Sequence, residues 1–401
     1  MIHQDLSALR VEEKLLLETL RQHITGDNQQ TLEQLVSEPS IDYAYLLQVA
    51  SRNSVGLLLL DGLAPFQIPL LQTFVPKYNF VQRRNLVLAG ELLKLIRHFN
   101  EQQISAIPLK GTMLAIEYYP SLPLREFNDI DVLVQRQQVP HIKAVMNHLG
   151  FTLDERQQAI PEKKYLRTRY HYRFTSPDNL YDVEVHWKLA YQYLGKISEA
   201  ALIWQHAELM SIYDTPVLQP MVEDLLLYLC THGGRHGWSR LSWVCDVAFV
   251  IQKHPDIRWD YVLQQAHRTN ATRLVLLGVA ITSRLFQIAL PDLIQTKINQ
   301  DKHIEPLLQM VYQNIFSPAE GQTLLLGQYL FQLKMQPDFI TRLRLIRYIL
   351  SRRLQPTSKD QEAIHLPKVL YPLHYVLRPF RLIRYYGKDV YYNLLNRNKA
   401  R

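Results

Sequence analysis

Residues 109–134 read LKGTMLAIEYYPSLPLREFNDIDVLV, and residues 181–187 read YDVEVHW. In the first stretch Ile130, Val132 and Val134 alternate with Asp129, Asp131 and Leu133. That is the period of a strand, with both aspartates on one face. In the second, Asp182, Glu184 and His186 share a face opposite Val183 and Val185. Just upstream, Ile104–Leu109 is short and partly alternating, then runs into Lys110-Gly111, which predicts a strand followed by a turn. Thr112–Tyr119 suits a short helix stopped by Pro120.

Working outward, Val139–Leu149 suits a helix closed by Gly150, and Phe151–Leu153 a further strand. Tyr170–Thr175 and Tyr181–Trp187 form a strand pair around a turn at Ser176-Pro177-Asp178-Asn179. A mixed sheet with helices packed against it is expected over about 102–190. Before it the period is helical. Leu9, Leu16, Leu20 and Ile24 fall on one face, with Glu12, Glu13 and Lys14 elsewhere on the wheel. Ser40 with Asp42 starts a helix carrying Tyr43, Leu46, Leu47 and Ala50, and a third runs from about Arg84 to Asn100. Beyond Pro220 helices return over 222–230, 241–252 and 261–289. The expected class is α+β: a small mixed β-sheet core at 101–215, an N-terminal helical region at 1–100, a helical domain at 216–340 and a basic, aromatic-rich C-terminal tail at 341–401.

Bulk properties narrow the class. The 401 residues are 47% apolar and 20% charged, the balance of an ordinary folded protein. Two cysteines, Cys230 and Cys245, give no disulfide framework. The opening residues carry no basic leader followed by an apolar core, and no apolar run reaches the ~18 residues of a membrane span. A cytoplasmic location is therefore expected. The net charge of +8 is uneven: residues 341–401 hold 14 Lys/Arg against three acids, so the remainder is about −3.

Two aspartates at i, i+2 on a strand can both ligate hard cations through oxygen, and a third carboxylate on an adjacent strand completes a two-metal site. Asp129, Asp131 and Glu184 supply that set, with Asp182 competing for the third position because it shares the face of Glu184. Gly111, between strand and helix, lets backbone N–H groups approach phosphate. Thr112 adds a hydroxyl, and Lys110 or Arg125 can meet β/γ-phosphates. His186 either hydrogen-bonds a carboxylate or the acceptor, or fills the edge of the core. Cys230, His232, His236 and Cys245 are of zinc-ligand type, but Gly233-Gly234 argues against a continuous helix between the histidines. Packing of a histidine on Trp238 or Trp243 is the expected alternative. Asp246 has the site, Arg235 and Arg240 as candidate partners. The tail around Arg378–Tyr392 suits an anionic membrane surface, single-stranded nucleic acid, or a surface helix packed on the protein's own body.

The ordered string Leu109-Lys110-Gly111, Tyr119-Pro120, Arg125, Asp129–Val134 and Glu184–Trp187 closely resembles an uncharacterised nucleotidyltransferase family of the DNA polymerase β-like superfamily. The likeness continues through Glu223–Leu227, Cys230–Gly233 and Leu241–Asp246, and covers about residues 30–255. The resemblance implies a Mg²⁺-dependent enzyme, with one or two ions, that moves a nucleoside monophosphate from an NTP such as ATP to an acceptor. It implies Asp129, Asp131 and Glu184 as metal ligands and Lys110, Gly111 and Arg125 on the nucleotide side. The superfamily's turn is usually Gly followed by Gly or Ser with the acidic pair about ten residues on. Here Thr112 follows Gly111, and the pair begins 18 residues beyond it. The acceptor, whether a small molecule, a protein or tRNA, is left open. The alternative is a non-catalytic nucleotide- or partner-binding protein on the same fold, with peripheral membrane contact through 341–401.

Overall fold

The alternation at 129–134 becomes the second strand of a five-stranded sheet. In chain order the strands are β1 (Ala106–Pro108), β2 (Asp129–Val134), β3 (Thr152–Leu153), β4 (His171–Thr175) and β5 (Asp182–His186), arranged β1-β2-β5-β4-β3. β2 and β5 run parallel and the other pairs antiparallel, so the sheet is mixed. Ile130, Val132, Val134, Tyr172, Phe174, Val183 and Val185 form its apolar face and are all buried. They join one cluster with Leu88, Leu92, Leu95 and Phe99 of the helix Val75–Glu101 and with Val139, Ile142 and Met146 of the helix Val139–His148. Each such side chain contributes about 1.5–3 kcal/mol on burial. A one-residue slip of β2 would drive its aspartates into that cluster, so the pattern fixes the register.

The computed structural model describes residues 9–158, 160–189, 200–316, 321–336 and 338–353, with 364, 370, 373–375 and 377–381 beyond them. The chain divides into two units, Met1–Pro337 and Asp338–Arg401. In the second, the helix Phe339–Arg353 is described; the tyrosine-rich end of the tail, from residue 382, lies outside the described residues. No described helix is long and apolar enough to cross a membrane.

In the first unit, helices precede and follow the sheet, giving an α+β chain with helical flanks. Asp42 caps the helix Tyr43–Arg52 by accepting from the Tyr45 N–H at 2.9 Å. Glu12 and Glu13 depart from the expected polar face of the helix Val11–Ile24, for both are buried. Glu12 accepts from the Asp42 N–H and from Arg10, and Glu13 from the Tyr45 hydroxyl, so each carboxylate is satisfied inside. The helix expected from Arg84 starts at Val75, because Pro76 falls in the first turn, where its missing N–H costs nothing. A hairpin, β6 (Glu208–Ile212) and β7 (Thr215–Gln219), was not foreseen. Its turn is Tyr213-Asp214, both at positive φ, without the glycine that usually marks such a turn in sequence.

The helix Val222–Arg235 runs unbroken through Gly233-Gly234, against expectation. A Cβ at Gly233 would sit 2.5 Å from the Trp238 ring, and one at Gly234 would sit 2.4 Å from Leu274 Cδ2. The pair permits close packing and does not break the helix. N- and C-terminal helices of this unit share one core: Leu15, Leu16 and Leu20 join Val244, Val247, Leu277 and Ile281. Asn53 Oδ1 accepts from the Leu241 N–H, and Arg52 Nη2 donates to the carbonyls of Ile315 and Phe316.

Candidate active site

Parallel pairing sets Asp131 directly beside Glu184, and Asp129 beside Asp182. The loop entering β2 is held by the long helix: Asn85 Nδ2 donates to the carbonyls of Pro123 and Arg125, and Arg84 Nη2 to that of Phe127. On the other side Leu109 N–H extends the β1 pairing by donating to the Asp131 carbonyl at 3.1 Å. Gly111 follows at φ +57°, a conformation that strains any side chain, and its carbonyl accepts the first bond of the helix Thr112–Glu117.

Asp129, Asp131 and Glu184 converge, with one oxygen of each lying within 4.8 Å of the others. Asp182 is engaged elsewhere, by Arg173 and by the Thr175 hydroxyl at 2.8 Å. The His186 Nε2–H lies between two carboxylates, 3.0 Å from Asp131 Oδ1 and 3.2 Å from Glu184 Oε2. Lys110 Nζ sits 3.0 Å from Asp131 Oδ2. Burial alone would raise the Asp131 carboxyl, but Lys110 and His186 outweigh it and hold it well below the usual range. Burial likewise would raise Glu184, but the His186 bond and charge outweigh it and lower it to about 2. Asp129 makes no ion pair among the described residues; burial, then the charge of Asp131, outweighs Lys110 and His186 and raises it to about 6. The triad is short of positive charge at Asp129.

The site opens onto a polar cleft of about 470 Å³, with Asp131 and His186 buried behind its lining. Lys110, Gly111, Arg125, Asp129 and Glu184 line it, while Thr112 is buried and does not. Arg125 is wholly enclosed. Its Nε and Nη2 donate to the two oxygens of Asp246, each at 2.8 Å, and the Tyr119 hydroxyl donates to the same carboxylate at 2.8 Å. Of the partners sequence had offered Asp246, the site, Arg235 or Arg240, it takes a candidate site residue, Arg125.

Sequence reasoning missed a histidine beside Glu184, and one side of the cleft. His171, paired with His186 across β4 and β5, places Nε2 3.9 Å from Glu184 Oε1. Its alternation within Tyr170–Thr175 was the available signal. His171, Glu184 and His186 make the second group of donors near one another among the described residues, and Cys230, His232, His236 and Cys245 do not gather as one. His232 instead meets Trp243 edge-on at 5.4 Å. Tyr170, Arg235, Ser239, Arg240 and Trp243 also line the cleft, and nothing in their spacing marks them.

The model of an uncharacterised nucleotidyltransferase family matches residues 39–287, well over half of the chain, and the chain belongs to that family. No curated protein and no solved structure matches it.

Proposed function

We propose that this member of the uncharacterised nucleotidyltransferase family transfers a nucleoside monophosphate from an NTP to an acceptor nucleophile, releasing pyrophosphate, with Mg²⁺ as the metal. The observation that carries the reading is the convergence of Asp129, Asp131 and Glu184 at the edge of a polar cleft. The donor set fits a hard divalent cation: three carboxylate oxygens, with Asp129 raised by burial and then by the negative charge of Asp131. Asp129, Asp131 and Glu184 would hold one or two such ions, which would neutralise triphosphate charge and lower the pKa of the acceptor.

The chain's own groups do the rest. The acceptor oxygen or nitrogen bonds to the α-phosphorus, the bond from that phosphorus to the bridging oxygen of the β-phosphate breaks, and pyrophosphate leaves with the electron pair. Glu184, lowered to about 2, remains a carboxylate and orients the acceptor, whose proton passes to solvent. Lys110 and His186 fix the two oxygens of Asp131, so its orientation is set before substrate arrives. The Gly111 turn bounds the cleft with backbone and no side chain, leaving room for phosphate.

The test is transfer of label from an α-³²P-labelled NTP by the purified protein in the presence of cell extract as the acceptor source. Metal-dependent labelling that disappears in Asp129→Ala/Asp131→Ala supports the reading. Equal labelling by that variant sinks it.

A further inference from the structure

Sequence nominated Lys110 and Arg125 for the triphosphate, yet both guanidinium and ammonium are already committed. Lys110 is ion-paired with Asp131 at 3.0 Å, and Arg125 spends Nε and Nη2 on Asp246. Arg235, in the last turn of the helix Val222–Arg235, is different. It lines the same cleft, and its Nε and Nη1 are shielded from water without a hydrogen-bond partner. Nη2 donates to His236 Nε2 at 3.1 Å, and the guanidinium stands 5.4 Å from the Tyr170 ring centre. Among the described residues no carboxylate pairs with it. A guanidinium so placed carries an unmet desolvation cost that an anionic ligand would relieve. Arg240, 5.5 Å over the Trp243 ring, adds a second cation to that wall. His232, in the lining of the same cleft, has its pKa lowered by burial and then by Lys110, His236, Arg235 and Arg125, so cationic charge gathers there.

We infer that Arg235, assisted by Arg240, binds the polyphosphate chain of the nucleotide. The cleft then has two unlike walls: carboxylates from the sheet on one and free guanidinium groups from the helical region on the other. A linear polyphosphate carrying a divalent cation matches both, because its oxygens can accept from a guanidinium fork while its cation faces carboxylates. The inference rests on the nucleotidyl-transfer reading for the identity of the nucleotide, while the anion site itself can be tested without it.

The probe is inorganic tripolyphosphate, titrated calorimetrically into the full chain without divalent metal. Wild type, Arg235→Gln, Arg240→Gln and Asp129→Asn/Asp131→Asn are compared. Loss of one charge-assisted contact predicts about tenfold weaker binding in Arg235→Gln. Arg240→Gln, exposed and tolerant of change, should bind a few-fold more weakly, and the double aspartate variant should bind at least as well as wild type. Should Arg235→Gln fail to show a wild-type unfolding transition, Arg240→Gln alone decides. Wild-type affinity in both arginine variants, or no binding by the wild type, overturns the inference. Arginine-dependent tripolyphosphate binding without metal-dependent binding of any NTP would uphold the anion site and remove the nucleotidyl reading. Metal-dependent NTP turnover with unchanged KM in both arginine variants would do the reverse.

Discussion

The Arg125 guanidinium is buried at the cleft wall, and Asp246 answers it with both oxygens while Tyr119 donates a third bond to that carboxylate. Removing one partner leaves a charge stranded in low dielectric, so Asp246→Ala should cost about 3–5 kcal/mol in chemical denaturation. A loss under 1 kcal/mol would show that the pair is not buried as described. His232 gives a pH prediction of definite sign. Burial, then Lys110, holds its folded pKa well below the ordinary 6.5. Below pH 6.5 the unfolded chain therefore binds a proton that the folded chain refuses, and stability falls as pH falls. Denaturation midpoints measured between pH 7.5 and 4.5 should fall less steeply in His232→Asn than in wild type; equal slopes would contradict the assignment. At this scale the two strand aspartates were legible because an i, i+2 spacing on a strand permits one arrangement only. Arg235 was not legible, because what singles it out is the absence of a carboxylate partner among the described residues, and partners are set by tertiary structure.

Elements differ in how openly they announce themselves. β2 and β5 were readable from strict alternation, and their parallel pairing brings Asp131 beside Glu184 and leaves Asp182 to Arg173 and Thr175. The β6–β7 hairpin was not, since Tyr213-Asp214 adopts positive φ under the constraint of the pairing and not by intrinsic preference. The glycines of the helix Val222–Arg235 misled for a related reason: their lack of a side chain serves the neighbours Trp238 and Leu274. Gly233→Ala should accordingly destabilise by about 1–3 kcal/mol through overpacking. Gly90→Ala, in the helix Val75–Glu101 with no atom within 4 Å of the added carbon, should stabilise by about 0.4–1 kcal/mol. Thermal unfolding of both variants distinguishes the cases; a stabilising Gly233→Ala would refute the packing argument.

Across the first unit, the sheet is not self-sufficient. Ile107, Leu109 and Leu133 belong to the same core cluster as Leu15, Leu16, Leu20, Val244, Val247 and Ile251. Residues 101–219 expressed alone would expose that surface to water, and their unfolding should lack a cooperative transition; a sharp two-state melt would show that the core folds independently. The α+β class was legible from the switch of period near Ile104 and back near Pro220. The joining of the flanking helices into one core was not, because it depends on contacts such as Asn53 with Leu241 that are 188 residues apart. That joining matters for the proposal, since the region after the sheet brings Arg235 and Arg240 to the cleft that Asp129 and Glu184 also line.

Metal-dependent nucleotide binding tests the central claim most directly. Each NTP would be titrated calorimetrically into the purified 401-residue chain with and without Mg²⁺, alongside Asp129→Asn/Asp131→Asn. The account predicts that at least one NTP binds more tightly with Mg²⁺ than without it, and that this Mg²⁺-dependent gain is lost in the variant. Mg²⁺-dependent binding of equal affinity in the variant, or no binding of any NTP by the wild type, would contradict it.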